Sequence, residues 1–129
     1  MILVSVTLRD NTKMKIGIDI VEVKRIERLI KNKKFLKKIY TPEEVRYCFA
    51  RKNRAQHFAV RFATKEAVWK ALGERGITHR DIGVKNLPDG RPVVTIKGRT
   101  NKNIQISLSH SDNYAVSVAV FQLENKKAV

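Results

Sequence analysis

The stretch HFAVRFATKEAVWKALG, His57 to Gly73, has the period of a helix and ends on a glycine suited to close one. At about 100° per residue, Phe58, Phe62 and Trp69 fall within one narrow arc. Ala59 and Ala63 form a neighbouring strip of small residues, and Glu66 lies between the two groups. Arg61 and Lys65 occupy the other flank of the aromatic arc. Lys70 follows Glu66 by four residues, a favourable order for an ion pair. Glu66 is therefore framed by carbon, and a partly buried carboxylate must be paired, protonated or bound to a metal. Two readings stay open on the pattern alone. Either Glu66 and Lys70 form an ion pair at the edge of the core, or Glu66 is a ligand for a hard cation and Lys70 faces an anionic substrate.

Upstream, KIGIDIV (Lys15–Val21) alternates as a strand does. Ile16, Ile18 and Ile20 share one face, and Gly17, Asp19 and Val21 the other. The period then changes: Val23, Ile26, Leu29 and Ile30 have helical spacing, with Lys24, Arg25, Arg28 and Lys31 elsewhere on the surface. TPEE at Thr41–Glu44 is a helix start. Thr41 caps, Pro42 suits the first position and Glu44 completes a capping box, so a helix is expected to about Arg51.

A basic link, RKNRAQ, leads into the His57 helix, which Gly73 and Gly76 end. PDG at Pro88–Gly90 marks a turn. Strands follow in PVVTIKG, in NIQISLS with Ile104, Ile106 and Leu108 inward, and in YAVSVAVFQL. HSDN joins the last two as a hairpin loop. One strand, three helices and a run of antiparallel strands predict a single α+β domain, helices packed on an antiparallel sheet, with no βαβ rhythm. Its expected span is 14–125, between an N-terminal extension at 1–13 and a frayed tail at 126–129.

Asp19 shares its strand face with Gly17, whose missing side chain is read as leaving room beside the carboxylate. By itself Asp19 reads as a strand-end cap of the following helix. Asp19 and Glu66 together, bordered by Lys and Arg, say more. Magnesium takes one or two protein carboxylates and completes its shell with phosphate and water.

The 129 residues suit one compact domain, and a hydrophobic fraction of 43% is that of a folded chain. Cys48 is the only cysteine, so neither an intrachain disulfide nor a cysteine-rich zinc site can form, which suits a reducing cytoplasm. His57 and His79 have no motif partners, which argues against zinc. No apolar run approaches the roughly 20 residues of a membrane helix, so no membrane insertion is expected. MILVSV lacks a basic leader and is not read as a signal peptide. The net charge of +15 attracts polyanions: nucleic acid, phosphate-rich cofactors, acidic proteins or anionic membrane surfaces.

GIDIVEVKRI (Gly17–Ile26), RFATKEAVWKALG (Arg61–Gly73) and SLSHSDNYAVSVAV (Ser107–Val120) together resemble the holo-acyl-carrier-protein synthases, the small single-domain 4'-phosphopantetheinyl transferases. The resemblance runs from Lys15 to about Leu123. It implies transfer of the phosphopantetheine arm of coenzyme A to a serine of apo-acyl carrier protein, with release of adenosine 3',5'-bisphosphate, in support of fatty acid biosynthesis. It implies magnesium held by Asp19 and Glu66, with Lys70 the third catalytic residue. Arg61, Lys65 and Lys70 match basic positions near the coenzyme phosphates, and Ser109 and His110 match a segment lining the coenzyme site. It also implies a homotrimer with sites between subunits. The departures are GERGI at Gly73–Ile77, where the family often has a shorter loop, and Thr64, where alanine is common. Residues before Met14 have no counterpart.

The chemistry fits these residues. Attack of a serine hydroxyl on a pyrophosphate phosphorus needs charge neutralisation and in-line positioning more than a covalent enzyme intermediate. The serine proton needs an acceptor, for which Glu66 or a water on the metal qualifies. Acyl carrier proteins are acidic, and Arg25 and Arg28 on the first helix are assigned to docking them. Two rivals belong to other classes. The charge fits a nucleic-acid-binding module, though no stacking-aromatic, zinc-finger or helix-turn-helix pattern accompanies it. A noncatalytic partner that keeps the fold is the other, and the intact Asp19/Glu66 pair argues against it.

Overall fold

The computed structural model describes residues 6–7, 13–73 and 76–123. The tail at 126–129, residues 74–75 of the GERGI loop and most of the extension at 1–13 lie outside the described residues.

The elements in chain order are β1 (Val6–Thr7), β2 (Lys13–Glu22), α1 (Val23–Leu29), α2 (Lys33–Ile39), α3 (Pro42–Phe49) and α4 (Arg54–Leu72). A 3-10 turn (His79–Asp81) leads into β3 (Ile82–Asn86), β4 (Pro92–Ile96), β5 (Arg99–Thr100), β6 (Ile104–His110) and β7 (Tyr114–Leu123). The α+β reading holds, with the strands divided between two antiparallel sheets: β1-β2-β7-β6 and β3-β4-β5. Among the described residues four α-helices replace the three expected. The extra one is α2, in a lysine-rich stretch where Phe35, Leu36 and Ile39 supply the inward side. Asn32 starts it, its Oδ1 accepting from the backbone N–H of Lys34 and Phe35. α3 begins with the expected Thr41/Glu44 capping box but stops at Phe49.

α4 lies across β2 and β7 and joins two core clusters. Phe58, Ala59 and Ala63 pack with Val21, Ile26 and Tyr40. Ala67, Val68 and Ala71 pack with Ile82, Val94 and Ala119. Gly73, in the left-handed conformation at φ 57°, ends the helix as expected. Thr64, fully buried, donates to the Val60 carbonyl at 2.7 Å and meets Ser117 Oγ at 3.0 Å, so its hydroxyl is satisfied.

The alternation of β2 is real. Gly17, Asp19 and Val21 are buried against the helices, whereas Ile18 is 44% and Ile20 64% exposed. Ile16, Ile18 and Ile20 stand opposite Val120, Val118 and Val116 of β7. Directly opposed residues share a face, so the back of this sheet carries adjoining rows of isoleucine and valine.

Candidate functional site

Gly17 sets the distance between β2 and α4. A Cβ on Gly17 would lie 2.0 Å from the Ala67 carbonyl oxygen and 2.8 Å from the Ala71 nitrogen. The space expected beside Asp19 is thus filled by helix backbone, which corrects the reading of Gly17: the glycine permits contact and leaves no gap. That contact brings Asp19, two residues on, to the last turns of α4.

Lys70 Nζ donates to Asp19 Oδ1 and to the Ile18 carbonyl, each at 3.0 Å. Asp19 is 7% exposed and Lys70 3%. Burial raises the Asp19 carboxyl above the ordinary range, against the opposing pull of Lys70, and the nearby Glu66 charge pushes the same way as burial. The Glu66–Lys70 ion pair allowed by their spacing does not form, because β2 presents Lys70 with a carboxylate and a carbonyl together. Glu66, 5% exposed, meets His79 instead: His79 Nε2 lies 2.9 Å from Glu66 Oε1. Spacing could not reveal His79, which reaches the site only because the segment after α4 folds back over the helix.

Lys65, expected near the coenzyme phosphates, is turned inward. It is fully buried, and its ammonium is held by Glu44 Oε1 at 2.7 Å and by the carbonyls of His79 and Ile82. Three acceptors take its three hydrogens, so none remains for a coenzyme phosphate. Glu44 closes the α3 capping box through Oε1 and accepts from the Val84 N–H through Oε2 at 2.9 Å. One buried ion pair therefore ties α3, α4, the 3-10 turn and β3 together.

Arg61 is different. Its guanidinium lies 4.3 Å from the centre of the Tyr47 ring, and Nη2 donates to Asn86 Oδ1 at 2.8 Å. Its Nε is the one buried side-chain polar atom without a hydrogen-bond partner among the described residues. Arg61 lines a cleft of about 540 Å³, together with Tyr47, Arg80, Lys85 and Asn86. An orphan guanidinium N–H in such a cleft is suited to an anionic or polar ligand.

The His57 and His110 rings lie 6.1 Å apart. Burial lowers the His57 pKa, and the charges of Arg61, His110 and Arg51 lower it further, so this corner is electropositive. His110 is the last residue of β6, so the hairpin loop begins one residue later than expected. Ser109, exposed, stands opposite Val116, on the sheet face away from α4. The described chain thus gathers Asp19, Glu66 and Lys70 at one place, sets Arg61 and His110 each near His57, and turns Ser109 to the opposite sheet face. Arg25 and Arg28 are exposed on α1, as expected, and the Arg25 charge is felt at Asp19.

Comparison with known proteins gives the family. Residues 15–119 match the family model of the 4'-phosphopantetheinyl transferase superfamily. A relative from Thermodesulfovibrio yellowstonii, named holo-[acyl-carrier-protein] synthase, is 47% identical over 108 residues, which cover 81% of this chain and 95% of that one. The crystal structure of a holo-(acyl-carrier-protein) synthase from Bacillus anthracis in complex with CoA (3',5'-ADP) is 34% identical with a TM-score of 0.73, covering 84% of this chain and 96% of that one. The Helicobacter pylori holo-[acyl-carrier-protein] synthase in complex with coenzyme A is 32% identical with a TM-score of 0.68, covering 81% and 96%. On a match spanning both core clusters, the Asp19–Lys70 crossing and the Arg61 cleft, the chain belongs to the 4'-phosphopantetheinyl transferase superfamily.

Proposed function

We propose that the protein is a magnesium-dependent holo-[acyl-carrier-protein] synthase, which moves the 4'-phosphopantetheine of coenzyme A onto a serine of apo-acyl carrier protein. The observation that carries this reading is the placing of Asp19, Glu66 and Lys70, all buried, where β2 crosses α4. Two carboxylates on facing elements form a hard oxygen donor set. They fit a divalent cation that fills its remaining positions with phosphate and water. Asp19 and Glu66 are the residues to hold magnesium, which when bound neutralises charge on the pyrophosphate.

The reaction forms a bond from the serine oxygen to the pantetheine-side phosphorus. It breaks the bond from that phosphorus to the bridging oxygen, and the electron pair leaves with adenosine 3',5'-bisphosphate. The serine proton goes to Glu66 or to a water beside it. Lys70 steadies charge on the transferred or leaving phosphate once the coenzyme competes with Asp19 for its ammonium. Arg61, with its unpartnered Nε, and His110 bind the nucleotide end of coenzyme A.

The apolar back of the β1-β2-β7-β6 sheet supports self-association, here as a homotrimer with sites shared between neighbours. Ile18 and Ile20 are too exposed in one chain to be left to water beside the valines of β7. Arg25 and Arg28 dock the acidic carrier protein next to Asp19, with fatty acid biosynthesis as the setting. No helix among the described residues is long and apolar enough to cross a membrane. A free, buried Cys48 accords with a reducing cytoplasm.

Incubation with coenzyme A, magnesium and an apo-carrier protein tests the reading. The carrier should gain the mass of one phosphopantetheine, and a chelator should prevent it. Tight, salt-sensitive binding of DNA or RNA without any transfer would favour the nucleic-acid reading instead.

A further inference from the structure

His79 is held in place from three sides by consecutive features of α4. Its ring stacks on Phe62, with centroids 6.0 Å apart and planes 9° from parallel. Its backbone carbonyl accepts from Lys65 Nζ at 3.1 Å. Its Nε2 lies 2.9 Å from Glu66 Oε1. The turn that carries it is locked separately, Asp81 Oδ2 accepting from both the N–H and the hydroxyl of Thr78. Phe62 and Glu66 are four residues apart, one above the other on the helix, so one imidazole can stack on the first and reach the second.

An ionised carboxylate only accepts hydrogen bonds, so the Nε2–H of His79 is the donor in this pair. The hydrogen bonds among the described residues engage Oε1 of Glu66 and leave Oε2 without a protein donor. His79 itself is 27% exposed at its side chain, against 7% for Glu66, and Oε2 is not among the buried unpartnered atoms of the described residues, so it faces accessible space.

We propose that His79 is the positioning residue of Glu66: by donating to Oε1 from a ring clamped on Phe62, it fixes the carboxylate so that Oε2 is presented to the magnesium ion. This rests on Glu66 being a metal ligand, as proposed above. A carboxylate with an oriented partner loses less freedom when it takes the ion. Removing such a partner from a metal ligand typically costs about 10- to 100-fold in metal affinity. Lys65 thereby has a function despite its burial, since it anchors the His79 carbonyl.

The test is binding of manganous ion, the paramagnetic stand-in for magnesium, to the full-length protein with coenzyme A present. Free manganous ion is read by electron paramagnetic resonance, which does not depend on turnover. His79→Phe keeps a ring to stack on Phe62 and removes the donor, and should weaken binding about 10- to 100-fold. His79→Gln places an amide N–H near the old Nε2 position and should recover most of the loss. Glu66→Gln is the control for the underlying reading and should bind weakest of all. If Glu66→Gln binds poorly while His79→Phe binds like wild type, the positioning role is overturned and the metal site stands. If Glu66→Gln binds like wild type, the metal-site reading itself fails. A His79→Gln protein as weak as His79→Phe would also overturn the proposal, because donation would then not be what matters. Should His79→Phe melt too low to assay, His79→Leu removes the donor without the ring and is held to the same expectation.

Discussion

Gly17 of β2 and Ala67 of α4 meet backbone to backbone, so closely that a Cβ on Gly17 would sit 2.0 Å from the Ala67 carbonyl oxygen. Neither partner can rotate out of the way, because both are main chain within regular structure. Gly17→Ala must therefore push the strand off the helix and carry Asp19 away from Lys70. Overpacking of a core costs about 1–3 kcal/mol and occasionally more, and this contact belongs at or above the upper end. Gly83→Ala is the comparison: its added carbon meets mainly Thr95 Oγ1, a side-chain atom that a change of rotamer can move, unlike main chain. Urea unfolding should rank Gly17→Ala clearly below Gly83→Ala, with activity lost alongside. A Gly17→Ala protein as stable as wild type would contradict the close approach.

Lys65 and Glu44 form a pair 2.7 Å apart with almost no exposure on either side. Breaking one partner of a buried pair costs about 3–5 kcal/mol, mostly from the charge left behind. Lys65→Met should lose that much in urea unfolding. Adding Glu44→Gln should cost less than the sum of the two single losses, which a double-mutant cycle measures. Whatever Lys65→Met remains folded should bind coenzyme A much as wild type does. Arg61→Ala should weaken coenzyme binding about 10- to 100-fold, the worth of a hydrogen bond to a charged group. The reverse ranking in affinity would restore Lys65 as a phosphate ligand.

Cys48 is fully buried, and burial pushes its thiol from 9.0 up to about 12, against the weaker pull of Arg61. The folded state thus favours the neutral thiol more than the unfolded state does. The stability tied to this group is whole below pH 9 and is lost as pH rises through about 12. Iodoacetamide at pH 9 should leave the native protein almost unlabelled and modify the urea-unfolded chain rapidly. Cys48→Ala should flatten the alkaline decline. Fast labelling of the native protein would show the thiol to be accessible.

Ile18 and Ile20, 44% and 64% exposed, head the apolar rows on the back of the sheet. Ile20→Lys places a charge in the middle of that surface. Sedimentation equilibrium should give a trimer mass for the wild type and a lower mass for Ile20→Lys, with transfer activity falling in parallel. A wild-type protein that stays monomeric at assay concentrations would remove the case for shared sites.

The local signals were legible because each is made by a few neighbouring residues. The Thr41/Glu44 capping box, the Gly73 stop and the valine-rich β7 all stand where their residues predict. Asp19 and Glu66 could be singled out because each breaks an apolar pattern. What could not be read was which charged group meets which. Lys70 lies four residues from Glu66 yet pairs with Asp19, 51 residues away, since only the fold decides which carboxylate approaches. His79 and Glu44 reach α4 from separate segments, and no period in the sequence connects them to it. In sequence, Lys65 is a flank of the aromatic arc, matched to a position near the coenzyme phosphates. Instead α4 is enclosed on nearly every side, and its charges are kept by partners from other elements. α2 was hidden for the opposite reason: its lysines mask a short apolar side, which in the fold meets the His79–Asp81 turn and, through Phe35, the Phe62 ring.

The central claim is that Asp19 and Glu66 hold the magnesium on which phosphopantetheine transfer depends. Intact-mass spectrometry of an apo-carrier protein under single-turnover conditions, with coenzyme A and magnesium, measures it most directly. The wild type should add one phosphopantetheine per carrier. Asp19→Asn and Glu66→Gln, shown by circular dichroism to be folded, should each be slower by roughly 100-fold or more, the scale of several kcal/mol of lost charge stabilisation. Wild-type rates in both variants would contradict the account.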